Sequence, residues 1–206
     1  NEDRGRALVA EIQEQGKGSA RFYRADFGSL QEVRDLADSI SRDYARLDVL
    51  VNNACIFSPD RETRMVSEDG YELHFQVNYL AGYVLTRMLM PLLESSAPSR
   101  VINVASGQRP IDFDNLMLET DYNGMQAYFQ SKNAQIMMTF AFADELAERG
   151  IAINAMHPSD LMNTDMVIEA GFEPLTPVET GRDALVRLVN DDVGSVLVFS
   201  GANCSL

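Results

Sequence analysis

The sequence predicts an α/β protein with a doubly wound parallel sheet, in three layers with helices on both faces. Two observations support this fold class. Short apolar segments such as LDVLVNNA (47–54) and RVINVAS (100–106) are typical of strands that are buried on both faces. These segments alternate with longer ones whose apolar residues recur at helical spacing. Such alternation favours parallel strands joined by right-handed helical crossovers.

The first elements follow this pattern. RALVAEIQEQG (6–16) predicts a helix that ends at Gly16, and SARFYRAD (19–26) predicts a strand. The next segment, 29–45, predicts an amphipathic helix that begins at Ser29, which stands three residues before Glu32 in capping-box spacing. Its expected buried face consists of Leu30, Val33, Leu36, Ala37 and Ile40.

The later elements continue the alternation. We expect a long helix over about 67–93, a helix near 125–149 and a strand at IAINAMHP (151–158). Thr176 and Pro177 provide an N-cap and a first-turn proline for a further helix, and SVLVFS (195–200) predicts the last strand. Without an internal repeat or linker, the 206 residues are expected to form one domain, 1–206.

The composition excludes several functions. A net charge of −14 disfavours nucleic acid as a partner, since phosphate backbones attract basic surfaces. No apolar run approaches the roughly 20 residues that a membrane span needs. Cys55 and Cys204 are the only cysteines, too few for a disulfide framework or a zinc site, which predicts a reducing, cytoplasmic location.

YFQSK (128–132) places a phenol and an ammonium one helical turn apart, in a chain with only two lysines. Tyr128 and Lys132 therefore share one helix face. A nearby positive charge lowers the pKa of a phenol, which would make Tyr128 usable as a general acid or base. The alternative is a coincidence of spacing, and the surrounding residues have to decide.

Polar residues stand where the predicted parallel strands end. These ends are Asp26, NNAC (52–55), Ser106 and HPSD (157–160). In open α/β sheets ligands bind at the carboxyl ends of the strands, so these ends predict a binding crevice. A strand-end hydroxyl such as that of Ser106 can donate to a developing oxyanion. Asn78 is a poor helix former, and its amide is a candidate to hold a water behind Lys132.

The order and spacing of these motifs resemble the short-chain dehydrogenase/reductase family. The match covers NNAC, VNYLAG around Asn78, VINVAS, YFQSK and NAMHPSD (154–160), and the long interval between Ser106 and Tyr128 is similar to the retinol-dehydrogenase-like branch. The resemblance implies a Rossmann-like fold and a ketoreductase-type oxidoreductase that uses NAD(P) to interconvert a carbonyl and an alcohol. By analogy, Tyr128 is the proton donor, Lys132 lowers its pKa and binds the nicotinamide ribose, and Ser106 orients the substrate oxygen. Asn78 would anchor a proton-relay water.

The same resemblance implies a set of cofactor-binding residues. NADP is favoured, with NAD as the alternative, and a homodimer through the helices of Asn78 and Tyr128 is expected. Tyr128 and Lys132 would face the nicotinamide, and Asp26 would meet the adenine amine. The implied cofactor-binding set is Asp26, Phe27, Asn53, Ala54, Cys55, Tyr128, Lys132, Pro158, Ser159, Leu161 and Thr164.

The sequence departs from the family pattern at several points. It lacks the glycine-rich TGxxxGxG turn and the first strand-turn-helix unit, so either the chain is a fragment or it cannot bind a dinucleotide in the usual way. The intact acid/base residues favour a fragment. Cys55 and Ser159 replace glycines where backbone approaches the cofactor.

Segment 159–174, which we call the lid segment, corresponds to the family's mobile substrate lid. Its Met162, Met166, Val167 and Ile168 suit an apolar small-molecule substrate, although a short helix that buries Met166 in the core explains them equally well. His74 and His157 lack a paired ligand spacing and are interpreted as structural, so no metal site is predicted.

Two other functional classes remain open from sequence. One is a lyase, cyclase or isomerase on the same scaffold, and the other is a binding or scaffold relative without catalysis. The missing glycine-rich turn favours the scaffold reading, whereas the Tyr128/Lys132 pair favours an enzyme.

Overall fold

The computed structural model describes residues 1–16, 18–107, 109–190 and, for the backbone only, 198–200. Its sheet has four parallel strands in the order β1-β2-β3-β4. Val51 is paired with Ile102, and Asn103 with Ala155. The strands are β1 (Val49–Asn52), β2 (Ser99–Val104), β3 (Ile151–His157) and β4 (Val198–Ser200). The predicted doubly wound parallel sheet is confirmed.

Seven α-helices and one π-helical segment connect the described strands. They are α1 (Glu2–Gln15), α2 (Leu30–Asp43), α3 (Leu73–Phe75), the π-helix Gln76–Leu80, α4 (Ala81–Ser95), α5 (Gly124–Ala147), α6 (Asp165–Glu169) and α7 (Val178–Asn190). α1 ends at Gly16, whose φ of 64° is the left-handed conformation that glycine accommodates without strain. The predicted end of this helix is therefore confirmed.

The core lies between the helices and the sheet. On one face, α2, α4 and α5 pack against the strands through buried residues such as Val33, Leu89, Val101, Leu146 and Ile153. On the other face, α7 covers Ile102, Val104 and Met156 with Leu188. The predicted α2 face is confirmed, with Leu30, Val33 and Ala37 buried and Leu36 and Ile40 packed at its edge. The molecule thus has the predicted three layers.

Two element predictions require correction, and a third falls partly outside the described residues. Segment 19–26 forms no strand, because no described segment provides it with a hydrogen-bonded neighbour. The helix predicted from 67 begins only at Leu73, since Ser67 and Gly70 form a turn that is closed by the Val66 and Glu72 bridge. For the last strand, 195–197 lie outside the described residues.

The start of α2 is capped differently from the prediction. Ser29 occupies the N-cap position, but its side chain makes no capping hydrogen bond. Instead, the carboxylate of Asp69 accepts from the Leu30 N–H over 2.8 Å, and the Glu32 carboxylate accepts from the Asp26 N–H over 2.8 Å. The capping-box spacing therefore predicted the start of the helix correctly, but the capping hydrogen bonds that it implies do not form. Within the described part of the chain, none of the helices combines the length and apolarity that crossing a bilayer requires.

Candidate active site

A cavity of about 540 Å³ lies at the carboxyl ends of β1, β2 and β3. Tyr128, Lys132 and Ser106 all line it, so the structure brings these three predicted residues together. The strand ends supply one wall, α5 supplies a second, and the lid segment supplies a third. The position is the one that the carboxyl-end rule for open α/β sheets predicts.

The start of α5 positions Tyr128 and Lys132. The Asn123 side chain accepts from the Gln126 N–H over 3.0 Å and caps the first turn. Gly124 donates from its N–H to the Arg61 carbonyl over 3.0 Å, and a Cβ at this position would stand 2.1 Å from the Ser58 carbonyl oxygen. Only glycine allows this approach, which seats the first turn of α5 against loop 58–61.

Lys132 is almost completely buried, with 2% of its surface exposed. Its Nζ donates to the Val104 carbonyl oxygen over 2.7 Å and lies 3.5 Å from Gln135 Oε1. Burial lowers the pKa of Lys132 because it penalises the charged form, while a side-chain hydrogen bond with Cys55 acts in the opposite direction. The ammonium is therefore fixed to the end of β2.

The environment of Tyr128 raises its pKa to about 12, first through burial and then through Cys55, whereas a side-chain hydrogen bond with Ser106 lowers it. The expected lowering of this pKa by Lys132 does not occur in this arrangement, because burial disfavours both the phenolate and the ammonium. Tyr128 thus keeps its proton at neutral pH. It suits the role of proton donor better than that of base.

Asn78 lies in the π-helix between α3 and α4, where it is buried. Its Oδ1 accepts from the Ile56 N–H over 2.8 Å, and its Nδ2 donates to the Ile56 carbonyl over 3.1 Å and to Ser131 Oγ over 2.9 Å. Both N–H donors of the amide are therefore used by protein groups. Here Asn78 positions Ile56 and α5, and the relay through a water remains a prediction.

The residues predicted to bind a cofactor divide into two groups. Asn53, Cys55, Tyr128, Lys132, Pro158, Ser159, Leu161 and Thr164 line the cavity. Asp26, Phe27 and Ala54 lie outside its lining. The Asp26 carboxylate accepts from the Gly28 N–H over 2.8 Å, and the Phe27 ring packs against the core. An adenine contact at Asp26 therefore remains a prediction.

The chemistry of the lining fits the nicotinamide end of a dinucleotide. Amide and hydroxyl groups of Asn53, Ser159 and Thr164 lie in the same cavity as the apolar side chains of Leu161 and Val167. A ribose and a carboxamide need such hydrogen-bonding groups, and the face of an aromatic ring needs apolar cover. The residues present therefore match the group that the resemblance implies.

The lid segment forms the short helix α6, and its apolar residues divide between the two predicted roles. Met162 and Met166 line the cavity, whereas Val167 is both buried and part of the lining. Ile168 is 54% exposed and lies outside the lining. The alternative of a short helix that buries Met166 is thus half right, because the helix forms but buries Val167.

Hydrogen bonds among four buried polar residues, two of them to backbone carbonyls, close a ring beneath Lys132. Gln135 Nε2 donates to the Asn52 carbonyl over 3.3 Å, and Asn52 Nδ2 donates to Asn103 Oδ1 over 2.8 Å. Asn103 Nδ2 donates to Thr139 Oγ1 over 2.9 Å, and Thr139 Oγ1 donates to the Gln135 carbonyl over 3.0 Å. We call these four residues the polar ring. It joins α5 to the ends of β1 and β2, where the cavity begins.

Both histidines have a carboxylate partner. His74 Nδ1 lies 2.9 Å from Glu72 Oε1 in the protein interior, and the Tyr122 hydroxyl donates to the same oxygen over 3.2 Å. His157 Nε2 lies 2.9 Å from Asp160 Oδ1 at the edge of the cavity. Across the described ranges, no group of three or more His, Cys, Asp or Glu side chains is placed to hold a metal ion.

The sequence did not single out several residues that shape the site. Phe57 lies with its ring centroid 4.6 Å from that of Tyr128, and Phe172 stacks on Phe57 at 5.9 Å. The Arg109 guanidinium lies 4.7 Å from the Phe129 ring, beside Tyr128. Phe57 stands two residues after NNAC, so its position next to a strand end was the available signal.

Comparisons with known proteins all point to one family. The sequence pattern described as short chain dehydrogenase matches residues 1–173. Mouse retinol dehydrogenase 13 is 38% identical over 142 residues, which is 67% of this chain and 42% of that protein. Human retinol dehydrogenase 14 is 39% identical over 146 residues, 69% of this chain and 43% of that protein. The chain thus spans less than half the length of these relatives.

A zebrafish polyprenol dehydrogenase is 33% identical over 97% of this chain and 68% of its own length. Among solved structures, a 7α-hydroxysteroid dehydrogenase complexed with NADH and 7-oxo glycochenodeoxycholic acid has a TM-score of 0.75 at 22% identity, covering 98% of this chain and 80% of that one. A dehydrogenase/reductase from Sinorhizobium meliloti has a TM-score of 0.73 at 24% identity, with 98% and 81% coverage. These two similarities concern the fold.

Proposed function

Because this chain belongs to the short-chain dehydrogenase family, we propose that it takes part in an NAD(P)H-dependent interconversion of a carbonyl and an alcohol on an apolar small molecule. The observation that carries the proposal is the shared cavity of Tyr128, Lys132 and Ser106 at the strand ends. A scaffold protein has no need for a buried lysine beside a half-buried phenol in one hollow, since burying the charge of the lysine costs stability.

Each side chain has a distinct part in the proposed reaction. Tyr128, protonated at neutral pH, donates its hydroxyl proton to a carbonyl oxygen. Ser106 lies in the same cavity as the phenol and donates to the substrate oxygen as charge develops there. Lys132, fixed by the Val104 carbonyl, presents a cation beside the cofactor ribose. A bound nicotinamide would supply the hydride.

The polar lining residues are the proposed cofactor contacts. Asn53, Ser159 and Thr164 would hydrogen-bond the ribose and carboxamide, and Leu161 and Pro158 would cover the ring. NADP is the proposed form, on the resemblance to the retinol-dehydrogenase-like branch. Titration of the full-length polypeptide with NADPH and with NADH, each followed by the fluorescence of the nucleotide, compares the two affinities directly.

The proposed substrate is apolar. Phe57, Met162, Met166, Val167 and Phe172 give the lid side of the cavity an apolar surface, and methionine adapts to irregular shapes. The relatives reported above are named for retinol and a polyprenol. These two alcohols and their aldehydes are therefore the first substrates to test.

We further propose a cytoplasmic protein that pairs with a second copy through α4 and α5. Met137 and Phe140 on α5 are 45% and 53% exposed, which gives this helix an apolar surface. Sedimentation of the full-length polypeptide tests the pairing, and cell fractionation tests the location.

The deciding experiment measures reduced-nicotinamide consumption by the full-length polypeptide with a panel of apolar aldehydes and ketones. We expect turnover that Tyr128→Phe lowers by about 10²–10⁴-fold, with an unchanged circular dichroism spectrum. Tyr44→Phe, on an exposed tyrosine, is the matched control. A product that lacks the two hydrogens a reduction adds, formed without consumption of reduced nicotinamide, would favour lyase, cyclase or isomerase chemistry. Full activity of Tyr128→Phe would overturn the assigned role.

A further inference from the structure

Arg109 lies in the lining of the candidate active-site cavity, on the loop that follows β2. The residue is exposed, and its guanidinium carbon lies 4.7 Å from the centroid of the Phe129 ring on α5. A guanidinium over the face of an aromatic ring is attracted to it. The ring therefore holds a positive charge at the cavity, a short distance along the chain from Ser106.

The charge of Arg109 has no acidic partner within the described part of the chain. Many other arginines form ion pairs, for example Arg46 with Asp48 and Arg87 with Glu145. The contact that the structure describes for Arg109 is the Phe129 ring, which occupies one face of the guanidinium. The N–H groups at the edge of this planar group are therefore available to a ligand.

The other charged groups of the cavity lining already have partners. Lys132 Nζ donates to the Val104 carbonyl oxygen over 2.7 Å. Asp160 is the carboxylate among the lining residues, and its Oδ1 lies 2.9 Å from His157 Nε2. Solvent screens the Asp160 charge, because its side chain is 80% exposed. Arg109 is thus the lining cation that neither the fold nor the proposed reaction uses.

Phe129 relates the position of this cation to the reacting phenol. The Phe129 centroid lies 5.5 Å from that of Tyr128, with 70° between the ring planes. The guanidinium therefore stands two ring contacts away from Tyr128, a separation that one ring or a short alkyl chain can bridge. Met125, one helical turn before Phe129 on α5, also lines the cavity and adds apolar surface next to the cation.

We infer that Arg109 is an anion-binding subsite for the substrate, and that the substrate is a carbonyl compound whose apolar body ends in a carboxylate. The inference rests on the proposed function and names the substrate class. With the carbonyl oxygen at Tyr128, the apolar body lies against Phe129 and the carboxylate meets the guanidinium. The planar fork of an arginine matches the two oxygens of a carboxylate, which makes this group a better fit than a neutral end.

The first test compares an acid with its methyl ester, so that the charge is the main difference between the two substrates. The full-length polypeptide receives reduced nicotinamide with para-formylbenzoate or its ester, and with ω-oxo fatty acids of several lengths or their esters. We expect kcat/KM to be about three- to tenfold higher for the acid in the pair whose length matches the separation of Tyr128 and Arg109.

Variants assign this preference to Arg109. Arg109→Gln should bring the ratio of acid to ester close to one, whereas Arg109→Lys keeps the charge and should retain part of the preference. Arg34→Gln, on an exposed arginine of α2, is the matched control and should leave the ratio at the wild-type value.

The second test does not depend on turnover. Calorimetric titration with para-(hydroxymethyl)benzoate, the alcohol that reduction would form, should show a Kd about three- to tenfold weaker in Arg109→Gln than in Arg34→Gln. Added sodium chloride should weaken binding to the wild type, since Arg109 is exposed. The affinity for NADPH should be the same in both variants. A selective loss of NADPH affinity in Arg109→Gln would instead assign the arginine to a cofactor phosphate and overturn the inference.

The two tests separate the inference from the proposed function. Turnover with the same ratio of acid to ester in the wild type and in Arg109→Gln would overturn the inference and leave the function standing. A wild-type protein that turns over none of the carbonyl compounds would overturn the proposed function. The anion subsite would then stand or fall on the calorimetric comparison of Arg109→Gln with Arg34→Gln.

Discussion

Lys132 donates from its Nζ to the Val104 carbonyl oxygen over 2.7 Å, and this bond fixes a cation at the end of β2. The lysine has 2% of its surface exposed, so almost no water solvates its charge. Burial lowers its pKa from the ordinary value of 10.5. The charge is thus held in the site at the expense of the stability of the fold.

We predict that Lys132→Met abolishes turnover and stabilises the fold by about 1 kcal/mol at neutral pH. The unfolded state binds this proton more tightly than the folded state does. The free energy of unfolding of the wild type therefore rises relative to the variant as the pH approaches 10.5, and above that pH the gap between the two proteins no longer changes. Urea titrations of both proteins at several pH values measure this difference in unfolding free energy. A gap that does not change with pH would contradict a buried charge.

Ser106→Ala is expected to raise the pKa of Tyr128 further and to lower kcat by about 10²-fold. The variant loses the hydroxyl that lowers this pKa and that is the proposed donor to the substrate oxygen. Tyrosinate absorbance, measured as the difference from the same protein carrying Tyr128→Phe, reports the pKa. Ser106→Thr keeps the hydroxyl and serves as the control.

We expect Asn78→Ala to destabilise the protein by about 2–3 kcal/mol, since its three hydrogen bonds leave buried partners unsatisfied. The Ile56 N–H and carbonyl lose their partner, so the loop after β1 loses its anchor. Urea denaturation measures the change. Gln126→Ala, at an exposed amide of α5, should change stability by less than about 0.5 kcal/mol. A similar loss in both variants would argue against a specific anchor.

Acid unfolding tests the Glu72 site. Burial raises the pKa of Glu72, but hydrogen bonds from His74 and from the Phe75 N–H outweigh it, so the pKa lies below the ordinary 4.5. The carboxylate therefore contributes stability above pH 4.5 that is lost as the pH falls through its folded-state pKa. Glu72→Gln should lower the unfolding free energy at neutral pH by about 1–3 kcal/mol and flatten its acid dependence. Glu14→Gln, on exposed α1, is the control.

Much of the fold was predictable from local patterns. Apolar spacing located α2 and α5, the capping residues Thr176 and Pro177 located α7, and short, mostly apolar runs located β1, β2 and β3. The prediction of a strand at 19–26 was wrong, because a strand exists only with a hydrogen-bonded neighbour and no local pattern reveals whether one is present. The π-helix at Gln76–Leu80 was not predicted for a related reason. Asn78 hydrogen-bonds Ile56, which is distant in sequence, and no local pattern reveals such a contact.

The grouping of Tyr128, Lys132 and Ser106 in one cavity was predictable, but the electrostatics of that cavity were not. Helical spacing placed Tyr128 and Lys132 in one cavity, as expected. The direction of the Tyr128 pKa was wrong, because a sequence shows which charges are near and not how much water reaches them. Phe57 and Phe172 were missed because aromatic contacts between distant segments leave no periodic signal.

The polar ring has a consequence for how this protein tolerates change. Asn52, Asn103, Gln135 and Thr139 each satisfy a neighbour, so an apolar replacement at one position orphans the group at the next. Favourable replacements should therefore arise in concert and show strong epistasis. A combinatorial library that randomises Asn103 with Thr139 should recover folded variants that neither single-site library contains.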